Sequence, residues 1–181
     1  LYLGRFIDCK GPDLTIDAFN LARDKGLNAE LIMAGEGSLL VTCELKRLES
    51  KYAEDIHLLG SVTREEAVKL YQNADIYTMH NRLGPLTNRE EAFGVSILEA
   101  MASGLPVVTG KSGGVMEIVV DGETGILLMP GDVNAQAKAF IELFSDPQLR
   151  RKMGEAGWRR VKACFSKENE KAEMLKLLGL K

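Results

Sequence analysis

Apolar residues gather in short runs rich in strand formers, at Leu1 to Leu3, Leu31 to Ala34, Ile56 to Leu59, Ile76 to Met79, Leu105 to Thr109 and Gly125 to Met129. Bounded by Gly, Pro and polar residues, they read as six strands. Between most of them the period changes: Leu14, Ala18, Leu21 and Ala22, and later Ala67, Leu70 and Tyr71, follow helical spacing. Thr63-Arg64-Glu65-Glu66 reads as a capping box, and Asp132 as an N-cap before Val133, Ala137, Phe140 and Ile141. Strand and helix alternate, so the chain is predicted to be α/β. About six parallel strands are joined by right-handed crossovers, helices cover both faces, and ligands are expected at the carboxyl ends of the strands. From about Pro147 the pattern is helical only, with Leu149, Met153, Val161 and Phe165 packed inward. No repeat or Pro/Ser-rich linker divides residues 1–181, which read as one domain with 147–181 as C-terminal helices.

Composition agrees and removes whole classes. The 181 residues are 45% hydrophobic and 27% charged, as in an ordinary globular domain. A net charge of −3 carries no basic excess for nucleic acid, and no run is long and apolar enough for a membrane helix. Residues 147–181 hold ten basic and four acidic side chains, +6 against −9 for the remainder. A solvated outer helix face is the plain reading of that asymmetry, and peripheral contact with a membrane surface is the second. Cys9, Cys43 and Cys164 are odd in number and form no Cys-x-x-Cys pair, and His57 and His80 lack metal-like spacing. A reduced, cytoplasmic setting without a protein-held metal is expected. The chain opens inside an apolar run without an initiator Met, as if cut from something longer.

Two glycine-rich segments are near misses. Gly35-Glu36-Gly37 has Leu40 where a dinucleotide fingerprint needs its third Gly, and Gly110-Lys111-Ser112 has Leu105 where a P-loop needs its first. More informative is the stretch from Glu90 to Val108, which sets Glu91 and Glu99 eight residues apart around Phe93, Gly94, Val95 and Ser96. If a helix begins near Gly94, its free amides face an incoming anion, with Glu91 before the N-terminus and Glu99 more than a turn inside. That order suits a diphosphate whose two ends carry hydroxyls. Gly4-Arg5 and Lys10-Gly11 add two cations on the first strand-to-helix loop, a fork and a point charge for phosphate oxygens.

Seven segments, in this order, resemble one family. They are Gly4-Arg5 with Lys10-Gly11, Ala34-Gly35-Glu36-Gly37, Leu59-Gly60-Ser61-Val62, Ala74-Asp75-Ile76-Tyr77, Glu91 to Glu99, Gly113-Gly114 with Glu117, and Asp121-Gly122 with Thr124-Gly125. The chain is similar, over nearly its whole length, to the C-terminal, nucleotide-sugar-binding half of GT4-type retaining glycosyltransferases of GT-B fold. The resemblance implies a Rossmann-like domain in which Arg5 and Lys10 hold the donor diphosphate and Glu91 binds hydroxyls of the donor sugar, these three being the catalytic candidates. It implies that Glu99 binds the ribose, that Phe93, Gly94, Val95 and Ser96 supply amides to phosphate, and that Gly60, Ser61 and Val62 border the base. Gly4 and Gly35 complete the donor-binding set. No cofactor or metal is implied; the donor is a nucleoside-diphosphate sugar, a UDP-sugar preferred and a GDP-sugar second. The acceptor, a carbohydrate or a lipid-linked one, would be held by an absent N-terminal domain, in polysaccharide, lipopolysaccharide or glycolipid synthesis.

The pattern departs from the family in two places. Residues 80–89 make a longer loop than is usual, a place for sugar selectivity, and Met116 stands where Pro is frequent before Glu117. A sugar-nucleotide epimerase of the same architecture and a non-catalytic nucleotide-sugar-binding module are the alternative readings.

Overall fold

Apolar runs bounded by turn residues become six short strands in the computed structural model, which describes residues 1–166 together with Asn169 and Leu175. They are β1 (Tyr2–Leu3), β2 (Leu31–Ala34), β3 (Ile56–Leu58), β4 (Tyr77–Met79), β5 (Val107–Gly110) and β6 (Gly125–Leu128). All pairings are parallel, in two three-stranded sheets ordered β1-β2-β3 and β4-β5-β6. The inner edges meet where the Thr78 amide donates to the Leu1 carbonyl at 2.8 Å. Read across that seam, the order is 3-2-1-4-5-6, and it reverses between β1 and β4. A crevice opens at the carboxyl ends of the two strands where the order reverses in this way.

Helices fill the crossovers: α1 (Pro12–Asp24), α2 (Leu40–Glu49), α3 (Arg64–Asn73), α4 (Val95–Ala102), α5 (Val115–Ile118), α6 (Val133–Ser145) and α7 (Pro147–Cys164). The capping box at Thr63 is formed, with the Glu66 amide donating to Thr63 Oγ1 and the Thr63 amide to Glu66 Oε2. Asp132 accepts from the Ala135 amide as the N-cap of α6. Strand alternation sends neighbours to opposite faces. Val107 joins a core with Tyr2, Met33, Tyr77, Ile97 and Met101, whereas Val108 joins Leu128, Phe140 and Leu143 of the other. Both faces are therefore covered, and truncating a fully buried residue such as Ile97 to Ala would cost roughly 2–5 kcal/mol.

The basic residues of α7 have structural work. Arg150 Nη1 donates to the Leu143 and Phe144 carbonyls at the end of α6, and Arg160 donates to the Glu117 and Ile118 carbonyls at the end of α5. Such contacts satisfy carbonyls that a helix terminus leaves open. Met153 is buried, while Leu149, Val161 and Phe165 are half-buried. Most of the expected C-terminal helical region beyond Ser166 lies outside the described residues. Among the described residues no helix is long and apolar enough to cross a membrane.

Candidate functional site

The first loop after a strand shapes one wall of the crevice. Gly4 continues the ladder by donating to the Ala34 carbonyl at 3.0 Å, and Gly35 donates to the Gly60 carbonyl at 2.8 Å, so Gly4, Gly35 and Gly60 lie in sequence across three strand ends. Beyond Gly4 the chain makes a short 3₁₀ turn (Asp8–Lys10) and enters α1 at Gly11. Arg5 is exposed on this wall, with its carbonyl held by the Tyr2 hydroxyl at 2.9 Å. Lys10 points back along the wall: a Cβ placed on Gly4 would lie 3.8 Å from Lys10 Nζ.

The opposite wall is the segment leading into α4. Lys10 Nζ lies 2.6 Å from Glu91 Oε2, with only 15% and 13% of the two side chains exposed. This is a charge contact without directed hydrogen-bond geometry, since Glu91 Oε2 has no aligned donor. Glu91 is fixed through its backbone. The Gly114 amide donates to the Glu91 carbonyl at 2.9 Å, and Gly113, at φ 59°, passes so close that a Cβ there would stand 2.1 Å from that same oxygen. Only glycine adopts that conformation at that distance without strain.

At Gly94 the chain turns into α4 with no side-chain cap, leaving the first amides of the helix open to an anion. The first turn is tied to β1, because the Tyr77 hydroxyl bridges the Leu3 carbonyl (3.0 Å) and Ser96 Oγ (2.8 Å). Further along, exposed Glu99 accepts from the Tyr71 hydroxyl at 3.0 Å. Burial raises the hydroxyl pKa values of both tyrosines, each beside the other and beside Glu99, so both stay protonated donors. The Phe93 ring stands edge-on to Phe165 with centroids 6.1 Å apart.

Glu91, Lys10, Gly4, Ser96 and the open end of α4 are therefore brought together. Ser61 is exposed and Val62 half-buried beside the Gly60 turn, at the outer end of the row of strand ends. Among the described residues no cluster of three or more His, Cys, Asp or Glu is placed to hold a metal ion. Cys9 and Cys43 are buried and Cys164 exposed, all as free thiols.

Sequence reasoning gave no role to Asp8, took Arg82 only as part of a long loop, and set His80 aside as a non-ligand. Asp8 is buried, and its carboxylate accepts from the Cys9, Leu86 and Thr87 amides and the Thr87 hydroxyl. Burial alone would raise its pKa, but these bonds outweigh it and hold the carboxyl below its ordinary value. Arg82 donates through Nε to the Asp8 carbonyl at 2.9 Å and approaches Asp13 at 3.3 Å. His80, at the end of β4, is fully buried: Nε2 accepts from the Gly131 amide, so Nδ1 carries the proton and donates to Gln136 Oε1 at 2.7 Å. It is a structural histidine, and burial lowers its pKa. The long loop at 80–89 is thus attached to the protein along much of its length.

The family model described as Glycosyl transferases group 1 matches residues 1–160. A GDP-mannose-dependent alpha-(1-6)-phosphatidylinositol monomannoside mannosyltransferase of Mycolicibacterium smegmatis is 34% identical over 155 residues, covering 86% of this chain and 41% of that protein. The capsular polysaccharide biosynthesis glycosyltransferase CapM of Staphylococcus aureus is 29% identical over 172 residues, covering 92% and 42%. Among solved structures, the C-terminal domain of a glycosyl transferase group 1 family protein (LpcC) from Francisella tularensis superposes with a TM-score of 0.78 at 27% identity, covering 92% of this chain and 87% of that one. The chain spans about two fifths of the length of the curated relatives it matches.

Proposed function

The chain belongs to the glycosyl transferases group 1 family, and from that premise we propose that it is the donor-binding domain of a retaining, metal-independent glycosyltransferase. The observation that carries this reading is the Lys10–Glu91 pair set against the uncapped start of α4, at the crevice where the strand order reverses. A nucleoside-diphosphate sugar meets complementary chemistry there. Its phosphates face Arg5, Lys10 and the α4 amides of Gly94, Val95 and Ser96. Its ribose hydroxyls reach Glu99, and its sugar hydroxyls reach Glu91.

The mechanism follows from where charge develops. The bond between the anomeric carbon and the diphosphate oxygen breaks, and negative charge grows on the departing phosphate. Fixed cations and helix amides already oriented at that oxygen stabilise the transition state without reorganising. The acceptor hydroxyl oxygen bonds to the anomeric carbon on the same face, and its proton passes to the departing phosphate oxygen. The donor's configuration is thereby retained. Activity persists in excess EDTA on this reading, because Arg5, Lys10 and the amides supply the positive charge.

The acceptor hydroxyl is brought into attacking geometry by a second domain of the complete transferase, acting on a carbohydrate or lipid-linked acceptor at or near the cytoplasmic face of a membrane. Family membership favours transfer over epimerisation. For the base, the Mycolicibacterium relative's dependence on GDP-mannose supports guanosine over the uridine expected from sequence. A thermal-shift titration with GDP, GDP-mannose, UDP and UDP-glucose tests the reading, since a ligand stabilises the folded state in proportion to the logarithm of its concentration over Kd. Stabilisation is expected by a nucleoside diphosphate and more strongly by its sugar conjugate. No shift with any of the four, at concentrations up to several millimolar, would overturn the assignment.

A further inference from the structure

We propose that Asp8 is a positioning residue for the Lys10–Glu91 pair: its buried carboxylate joins the segment that carries Lys10 to the turn that leads into Glu91. The inference rests on the nucleotide-sugar reading above and adds a residue to it.

Asp8 is 3% exposed and begins the 3₁₀ turn that ends at Lys10. Its Oδ1 accepts from the Cys9 amide and from Thr87 Oγ1, each at 2.9 Å, and its Oδ2 accepts from the amides of Leu86 and Thr87, each at 2.8 Å. Two successive amides aimed at one oxygen make a concave anion site, here occupied by a side chain of the neighbouring loop. The segment so gripped is a closed turn: the Gly84 amide donates to the Arg89 carbonyl and the Asn88 amide to the Gly84 carbonyl, both at 2.8 Å. Glu91 follows Arg89 by two residues.

Glu91 is therefore held from both directions, upstream by the Asp8-anchored turn and downstream by the Gly114 amide on its carbonyl. Lys10 is held from the same carboxylate, through the Cys9 amide and the 3₁₀ bond from the Lys10 amide to the Ile7 carbonyl at 3.0 Å. Arg82 reinforces the joint from the loop after β4, its amide donating to the Cys9 carbonyl and its Nε to the Asp8 carbonyl. Moving Glu91 relative to Lys10 requires opening these bonds. Asp8 is buried and both its oxygens are already used twice, so it acts through the pair. A carboxylate suits this place because it is acceptor-only; an Asn would turn two of the four acceptor positions into donors facing donors.

The test uses Asp8→Asn, Glu91→Gln and the double variant in the intact transferase. Asp8→Asn is expected to lower kcat for sugar transfer by roughly tenfold to a hundredfold, the scale of a misplaced catalytic contact. Kd for GDP or UDP alone is expected to change by less than about threefold, because Arg5 and the α4 amides, which Asp8 does not touch, still hold the phosphates. In the Glu91→Gln background the same change should cost little more, since residues acting through one another do not add. Additive losses in this cycle, or matching losses of nucleotide and nucleotide-sugar affinity, would assign Asp8 to folding alone and overturn the proposal. Should Asp8→Asn not fold, Thr87→Val removes only the hydroxyl bond. A kcat loss of about threefold to tenfold supports the latch, and an unchanged kcat overturns it. A wild-type protein that neither binds nor transfers a nucleotide sugar refutes this proposal together with the reading beneath it. Normal wild-type transfer with an unaffected Asp8→Asn variant refutes the proposal alone.

Discussion

Two polar assemblies stand near the carboxyl end of β4 and differ in how fully their atoms are used. In the first, the Gly131 amide donates to His80 Nε2, His80 Nδ1 to Gln136 Oε1, Gln136 Nε2 to Thr78 Oγ1, and Thr78 Oγ1 to the Val108 carbonyl. Every donor in that buried relay finds an acceptor, and the direction is fixed from end to end. In the second, Lys10 Nζ lies 2.6 Å from Glu91 Oε2 on the crevice wall, with 15% and 13% of the two side chains exposed. A buried relay whose members bond one another holds elements together, whereas a charged pair on the crevice wall that keeps part of both side chains exposed can also meet a ligand. Of two polar clusters a few residues apart, only the second reads as a binding site.

Removing one member of each assembly should separate the two effects. Lys10→Ala in the intact transferase is expected to lower turnover by roughly a hundredfold to a thousandfold, the cost of losing a fixed charge if Lys10 faces the departing phosphate as proposed. Its melting temperature should move less, because truncating the Lys10 side chain itself opens Glu91 to water from the crevice. Steady-state kinetics beside thermal melts check this, and near-normal turnover would remove Lys10 from the chemistry. His80→Leu should behave in the opposite sense. Leaving Gln136 Oε1 and the Gly131 amide without partners costs roughly 2–3 kcal/mol of stability in urea denaturation, while folded molecules turn over at close to the normal rate.

Glu99→Gln sharpens the contrast within the site. It keeps an acceptor for Tyr71 but removes the charge proposed to bind the ribose, so donor affinity should fall roughly tenfold by calorimetry with kcat little changed. A drop in kcat at saturating donor would instead bring Glu99 into the chemical step. The smallest effect is on pH. His80 is neutral in the fold and its pKa lies below the ordinary 6.5, so the unfolded chain takes up its proton first. Its contribution to stability is complete above about pH 6.5 and is lost as pH falls through the folded pKa. Melts between pH 7.5 and 5.5 should show a shallower slope in His80→Gln than in the wild type. Asp8 follows the same direction at lower pH: its contribution is complete above its ordinary 3.8 and disappears as pH falls through the depressed folded value.

Strands were legible because a parallel strand buried on both faces is a continuous apolar run; Tyr77–Met79 and Val107–Gly110 fall within or beside the runs seen in the sequence. The ends were less so. Leu59 and Met129 belong to apolar runs but lie outside the strands, at 47% and 66% exposure, because local pattern does not reveal where pairing stops. Caps at Thr63 and Asp132 were legible since both partners sit within one helical turn. For the site, motif spacing pointed separately to Lys10 and Glu91 but gave no sign that they pair. Asp8, Arg82 and the bonds of the His80 relay were invisible for the same reason: the partners that join them to other segments are 30 to 79 residues away, and only the folded topology makes them neighbours.

The seam between β1 and β4 also sets the timing of assembly. Within each three-stranded sheet, neighbouring strands are joined by local crossovers, but the Tyr77 hydroxyl reaches the Leu3 carbonyl across 74 residues. The entropy of closing a loop rises by about 0.6 kcal/mol for each doubling of its length, and contacts of long sequence separation slow folding. A chain emerging from synthesis can build its first three strands before β4 exists. The crevice needs both halves, so a site at its walls can form only once this seam has closed.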